Sequence, residues 1–385
     1  MSRRHADERL AAARRSSAGA AATSTAEACD DCLRRTALIA ALSGRLDVEW
    51  RRRQVTARVL ALSDGQLLEL STASARRAYA DFDPARARAV AAGSQLGLVC
   101  RCAPAYPDRL RDLADPPAVL HVAGRLPGSA EADAVAIVGA RKATPYGLEV
   151  ARSLGRGLSA SGVPGVSGLA LGVDSAAHAG ALEAPGPVVG VLASGADVPY
   201  PASSRRLYAE VVRRGCVLSE LPPGFGPMRW CFVARNRIIA ALSRVVVIVE
   251  AAERSGSLTT ADFGAELGRT VGAVPGRITC RLAAGTNGLL QSGAPPVCGI
   301  RDVLDLLADT TGRPVAVPVE PPVPPDLEPG LRRLLAAVED GRGALGELAR
   351  TPEEAKLVLA GLGELEFRGL VHRTFGGRYE RTVTE

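Results

Sequence analysis

Four short segments rich in glycine and hydroxyl side chains stand out as places where backbone amides could hold an anion. They are Val138-Gly139-Ala140-Arg141-Lys142, Ser167-Gly168-Leu169-Ala170, Ala193-Ser194-Gly195-Ala196 and Ser255-Gly256-Ser257-Leu258-Thr259-Thr260. Each follows a short apolar run, where an open parallel sheet would present strand ends and helix N-termini to an anionic ligand. One such segment alone is an ordinary turn. Together on one rim they make a phosphate-binding edge, with Gly139, Ser167, Gly168, Gly195, Ser255, Gly256, Ser257 and Thr260 as candidate phosphate-loop residues. Basic residues gather at the same places: Arg141, Lys142, Arg205, Arg206, Arg229, Arg235, Arg237 and Arg254. Guanidinium groups beside amide-rich turns suit several phosphates in a row, as a nucleic-acid strand presents them, so these are the candidate nucleic-acid-binding residues. Within Phe232 to Ile239, Arg235 and Arg237 could instead pair with carboxylates such as Glu220 or Glu250.

Other chemistry is less well supported. No Walker A pattern is present and no Gly-x-Gly-x-x-Gly follows the first strand, which argues against an NTPase and a hydride-transfer dehydrogenase. Asp174 and His178, four residues apart on one helix face, read as a helix-capping acid and a packed histidine rather than an acid/base pair, so no catalytic residue is assigned. Cys29-x-x-Cys32 and Cys100-x-Cys102 bracket a helical region and would form a tetrahedral zinc site if they met in space. Cys-x-Cys is tighter than the usual knuckle, which leaves unligated or redox-active thiols as the other reading. No other cofactor is expected. The isolated Cys216, Cys231, Cys280 and Cys298 do not resemble a secreted disulfide framework.

The elements that must position these residues follow from composition and periodicity. The chain has 385 residues, 47% apolar and 23% charged, enough to bury cores in two or three domains without cross-links. The net charge of +6 favours polyanionic partners without naming one, and an aromatic content of 4% argues against an aromatic stacking platform. No apolar run is long enough to span a bilayer, and Arg3 and Arg4 are not followed by an apolar export segment, so a cytoplasmic protein with no membrane partner is expected. Residues 1–28 read as a disordered tail, and 29–105 as a small helical domain. From 106 to 310, six apolar strands (134–140, 163–167, 188–193, 216–220, 245–251 and 270–274) alternate with helix-compatible segments. That pattern means an α/β fold with a doubly wound parallel sheet covered on both faces. A Pro-rich linker (311–329) precedes three helices and a hairpin (330–385), the pattern of a winged-helix domain.

The ordered motifs from Tyr106 to Leu307 resemble the bacterial DNA-processing protein A family (DprA, also called Smf). They include Tyr106-Pro107, Asp115-Pro116-Pro117, the Val138-Gly139-Ala140-Arg141 turn, Ser167-Gly168-Leu169-Ala170 through Asp174 and His178, and Tyr200-Pro201. They continue through Ser219-Glu220, Phe232 to Ile239, Ser255 to Ala261, Gly268-Arg269 and Pro275-Gly276. The resemblance implies a non-enzymatic, Rossmann-like protein that binds single-stranded DNA, loads the RecA recombinase and protects incoming DNA during natural transformation, as a homodimer. It places DNA-contacting basic residues at Arg141 and Arg229. A third such position, after Tyr200-Pro201, is Ala202 here, with Arg205 and Arg206 one helical turn later. The acidic residues Glu347, Glu353, Glu354, Glu364 and Glu366 favour a protein-contact role for the winged helix over DNA reading. The alternative is a nucleotide hydrolase resembling the phosphoribohydrolases. Their Pro-Gly-Gly-x-Gly-Thr loop is absent, its pieces standing apart as Pro275-Gly276-Arg277 and Ala284-Gly285-Thr286.

Overall fold

The structure is a computed structural model that describes residues 28–49, 58–126, 133–316, 323–374 and 377–382. The expected N-terminal tail lies outside the described residues except for Ala28. At the centre is one eight-stranded sheet of β1 (Gly97–Cys100), β2 (Val119–Gly124), β3 (Ala134–Val138), β4 (Gly165–Ser167), β5 (Val188–Val191), β6 (Cys216–Ser219), β7 (Ser243–Ile248) and β8 (Thr270–Ala273). Their spatial order is β1-β2-β6-β5-β4-β3-β7-β8. The strands from β3 to β8 are parallel, while β2 runs antiparallel to β6 and β1 antiparallel to β2. From β3 the chain winds outward through β4, β5 and β6, then returns to place β7 on the other side of β3. The direction of winding therefore reverses between β3 and β7, where ligand crevices form in open α/β sheets.

Six apolar runs became the six parallel strands because each can be buried on both faces. Along β7 and just beyond it, Val246 and Ile248 enter one core with Ile238, Ile239 and Phe263. Val245, Val247 and Val249 enter the opposite core with Leu154, Leu158, Val303, Leu304 and Leu307. The helical region comprises α1 (Asp30–Ala41), α2 (Ser43–Glu49), α3 (Asp64–Glu69), α4 (Ala73–Ala80) and α5 (Pro84–Gly93). It does not end at residue 105 as expected, because Gly97–Cys100 joins the main sheet as its edge strand. Nor does it close a core of its own. Leu38, Ile39, Leu42, Leu46 and Leu67 share one with Trp230, Cys231 and Ala234 of the sheet domain.

On the sheet lie α6 (Pro145–Ala160), α7 (Val173–Ala181), α8 (Arg205–Arg214), α9 (Arg229–Leu242), α10 (Leu258–Glu266), α11 (Ala284–Gln291) and α12 (Ile300–Thr311). Beyond the linker, α13 (Pro329–Glu339), α14 (Leu345–Leu348), α15 (Pro352–Phe367), β9 (Val371–Arg373) and β10 (Tyr379–Arg381) supply the expected three helices and a two-stranded ribbon. They enclose Leu335, Val338, Leu362, Leu365, Leu370 and Tyr379. Arg152 and Arg156 of α6 pair with Glu183 and with Glu380 of β10, docking this unit on the sheet domain. Among the described residues no helix is long and apolar enough to cross a membrane.

Helix α9 is fixed by a buried triad. Arg237 donates from Nε to Asp115 Oδ2 at 2.9 Å and from Nη2 to Glu220 Oε2 at 2.8 Å, with only 3% of its side chain exposed. Burial raises the Glu220 carboxyl and the Arg237 charge holds it down, whereas for Arg237 the two carboxylates outweigh the desolvation that opposes its charge. Removing the guanidinium strands two buried carboxylates. Arg237→Ala is therefore expected to lower the free energy of unfolding by about 3–5 kcal/mol in urea titrations. A loss below about 1 kcal/mol, the range of an exposed ion pair, would contradict the assignment.

Candidate nucleic-acid interface

At the carboxyl ends of β3 and β7, where the winding reverses, a cleft of about 550 Å³ opens. Its first wall is the turn between β3 and α6, which carries Arg141 and Lys142, both exposed. That turn is held from below by Glu250, two residues past the end of β7. The Glu250 carbonyl accepts from the Ala140 amide at 2.7 Å, and its carboxylate accepts from the amide and hydroxyl of Thr144, which caps α6. A side chain at Gly147 would occupy the space of that carboxylate, so only glycine lets the helix start this close to it.

The second wall is the start of α9, from which Arg229, Phe232, Val233 and Asn236 face the cleft. Its exposed N-terminal residue Arg229 donates its backbone amide to Asp47 Oδ1 of α2 at 2.7 Å, so the helical region caps the helix that lines the cleft. The third wall is the Ser255-Gly256-Ser257 segment before α10, with Ser255 and Ser257 hydroxyls 2.7 Å apart and Asn236 Nδ2 bonded to Thr259 Oγ1 at 2.7 Å. Gly139 and Thr260 complete the lining drawn from the candidate phosphate-loop residues.

The floor is a buried charge pair. Arg235 Nη1 lies 3.6 Å from Asp174 Oδ2, and the same oxygen accepts the Gly168 amide at 3.1 Å. Burial raises the Asp174 carboxyl against the pull of Arg235 and of the Gly168 and Ala170 amides, and burial lowers Arg235 against the pull of Asp174. Gly168 has no alternative, because a side chain there would overlap the Arg235 guanidinium. The turn that follows carries Leu169 in the left-handed region (φ 54°), with its side chain 1% exposed in the core.

Several expectations are corrected. Arg237, 2% exposed and outside the cleft lining, is committed to Asp115 and Glu220 and cannot reach a strand of DNA, whereas Arg235, 6% exposed, stays in the cleft floor with its charge paired to Asp174. Their carboxylate partners are Asp174, Asp115 and Glu220, not Glu250. Ser167 is buried and its hydroxyl donates to the Ile137 carbonyl at 2.6 Å, so it supports the loop rather than facing a ligand. Gly195 packs against Pro222 and Phe225 away from the cleft, and its segment instead supplies Ala193, Tyr200 and Pro201 to a small adjoining pocket of about 60 Å³ that shares Arg141, Phe232 and Arg235 with the cleft. Arg254, Arg205 and Arg206 are exposed but stand outside the cleft lining, the last two at the start of α8.

The sequence reading also missed an aromatic element. Tyr200 and Phe232 face each other with ring centroids 5.8 Å apart, and the Arg141 guanidinium carbon lies 4.5 Å from the centroid of Phe232. Bulk aromatic content hid it, since two rings in one place suffice. The spacing Phe232-x-x-x-Asn236, one helical turn on the α9 face next to Arg229, was the available signal. Asp174 and His178 are both buried, but Asp174 does not cap its helix: Gly172 holds the cap position, and the Asp174 carboxylate accepts the Gly168 amide of the preceding loop instead. The four thiols of Cys29, Cys32, Cys100 and Cys102 converge at a separate place, by the edge strand β1.

Comparison with known proteins bears on the family and the fold. Residues 97–308 match the family described as DNA recombination-mediator protein A. The chain belongs to that family. It is 36% identical over 316 residues to protein Smf of a Synechocystis strain, spanning 72% of this chain and 78% of the relative. Its fold is similar to the X-ray structure of DprA from Streptococcus pneumoniae, with TM-score 0.58 and 32% identity over 71% of this chain and 95% of that one. A DprA structure from Helicobacter pylori, solved to describe its single-stranded DNA binding mode, aligns with TM-score 0.51 and 31% identity over 56% of this chain and 98% of that one. The family region begins at the edge strand β1, so the helical region lies ahead of it.

His178 gives the floor of the cleft a pH signature. Burial, aided by Arg235 and opposed by a hydrogen bond to the Ser167 carbonyl, lowers its pKa to about 4. That is below the value of about 6.5 in the unfolded chain. Above pH 6.5 both states are neutral and stability is unaffected. Between about 6.5 and 4 only the unfolded chain takes up the proton, so stability falls as pH falls, by up to about 1.4 kcal/mol per pH unit. His178→Asn, which can keep the bond to Ser167, is expected to flatten this part of the melting-temperature profile. A variant profile parallel to that of the parent would contradict it.

Proposed function

We propose that the cleft binds single-stranded DNA and that the protein is a recombination mediator, without catalytic turnover, that protects incoming strands and loads RecA on them. One observation carries this reading. Arg141, Lys142 and Arg229 stand exposed around a cleft whose walls are amide-rich turns at the reversal point of the sheet. Cations and backbone amides bind phosphates without regard to base, and the Tyr200 and Phe232 rings offer a face on which an unpaired base can stack. A base inside a duplex has no free face to present, which is why the arrangement favours a single strand.

The family and the DNA-binding relative support the same substrate. Among the described cleft residues the carboxylate is Asp174, which is buried and held by Arg235 and the Gly168 amide, so it is not placed to activate water. That weighs against a nucleotide hydrolase. A homodimer is part of the proposal, as the family resemblance implies. The C-terminal unit is proposed as a winged helix that contacts protein. Leu357 and Phe367 of α15 are 75% and 89% exposed beside its acidic residues, a surface better suited to a polypeptide than to phosphate.

The test is filter binding of an oligonucleotide, single and double stranded, across a salt series. Arg141→Ala and Arg229→Ala should each weaken single-strand binding and make the log-log salt slope shallower by roughly 0.7 for each phosphate no longer neutralised. Arg205→Ala with Arg206→Ala should do the same by up to roughly 1.4 if both extend the phosphate track along α8. Unchanged affinity and slope in the Arg141 and Arg229 variants would overturn the reading, and unchanged values in the double variant would confine the track to the cleft.

A further inference from the structure

We propose that Cys29, Cys32, Cys100 and Cys102 bind one zinc ion that staples the helical region to the edge of the central sheet. The four sulfurs come from two distant stretches of chain. Cys29 is the residue capping α1 and Cys32 lies in its first turn, while Cys100 ends β1 and Cys102 lies in the turn that follows. Their sulfur atoms all lie within 4.8 Å of one another, and Cys32 Sγ and Cys102 Sγ are 3.7 Å apart. A tetrahedron of thiolates about 2.3 Å from a central zinc has edges of about 3.8 Å, so the set is close to the size a single ion requires. It is too wide for a disulfide, whose sulfurs sit about 2.05 Å apart. A cluster of several irons needs thiolates spread over different metal atoms, and this set is too compact for one. Soft sulfur donors in a tetrahedral set select zinc among the common divalent ions.

The surroundings fit a structural site rather than a reactive thiol pair. Cys32 and Cys100 are 3% and 2% exposed, packed with Ala28, Leu33, Leu96, Leu98 and Val119, while Cys102 is open to solvent and gives the ion an entry path. All four positions are occupied by protein ligands, which leaves no open site for catalysis. The two cysteine pairs, with α1 to α5 between them, close a loop of chain whose apolar core is completed by the sheet domain, through α9 together with Ala193 and Leu221. An ion at this point fixes the region that supplies Asp47 to the start of α9. The site stands apart from the cleft, and the proposal does not depend on the DNA reading.

The test is metal content and cobalt substitution on the full chain, purified under reducing conditions. Elemental analysis should give one zinc per chain. After removal of zinc by a chelator, titration with Co²⁺ should reach its endpoint at one equivalent and produce the intense visible bands of tetrahedral cobalt thiolate. Cys29→Ser with Cys32→Ser should abolish both signals. Should that variant fail to fold, Cys102→Ser at the exposed ligand should still lower zinc affinity by more than the roughly 10–100-fold that loss of an outer-shell partner costs. Cys280→Ser with Cys298→Ser, away from the cluster, should leave one zinc per chain. Substoichiometric metal with no cobalt thiolate bands, intramolecular disulfides by mass, or iron in place of zinc would overturn the assignment.

Discussion

The carboxylate of Glu250 decides whether this molecule has a binding edge at all. It sits just past the end of a strand with no polar alternation, and it accepts hydrogen bonds from the amide and hydroxyl of Thr144 while its carbonyl holds the Ala140 amide. Those bonds span the boundary at which the sheet reverses its winding. They fix the turn that projects Arg141 and Lys142 and leave both cations facing solvent. A surface charge on a mobile loop binds phosphate weakly because ordering it costs conformational entropy, and bracing from a buried acid removes that cost beforehand.

The same logic recurs across the floor and the far wall. Asp174 receives the Gly168 amide and faces Arg235, and Arg237 joins α9 to Asp115 and Glu220. Different faces of α9 thus do different jobs. Arg229, Phe232 and Asn236 look into the cleft and Arg235 lies in its floor, while Arg237 is a buried anchor. Behind them the helical region is part of the same body, because Trp230 fills its core and Asp47 caps α9.

Much of this was legible in the sequence, for reasons that can be named. The apolar runs of the six parallel strands could be satisfied only between two helical layers, and glycine-rich segments after strands mark where backbone must pass close to something. The Gly168 and Gly147 positions are such places, against Arg235 and Glu250. What the sequence hid was direction. Arg229, Arg235 and Arg237 lie on one helix and differ only in which way they point, and that depends on Asp115 and Glu220, contributed by remote segments. Edge strand β1 was missed because four residues ending in cysteine carry no alternation until β2 lies beside them. The aromatic pair was missed because Tyr200 and Phe232 come from separate parts of the chain.

The most direct test is to map where a strand lies. A single-stranded oligonucleotide carrying photoreactive bases, crosslinked to the full chain and analysed by peptide mass spectrometry, should place its adducts on peptides containing Phe232 and Tyr200 and on the Arg141 turn. Excess unmodified single strand should compete them away. Adducts confined to α15, β9 and β10, or to the face of the sheet domain opposite the cleft, would contradict the account.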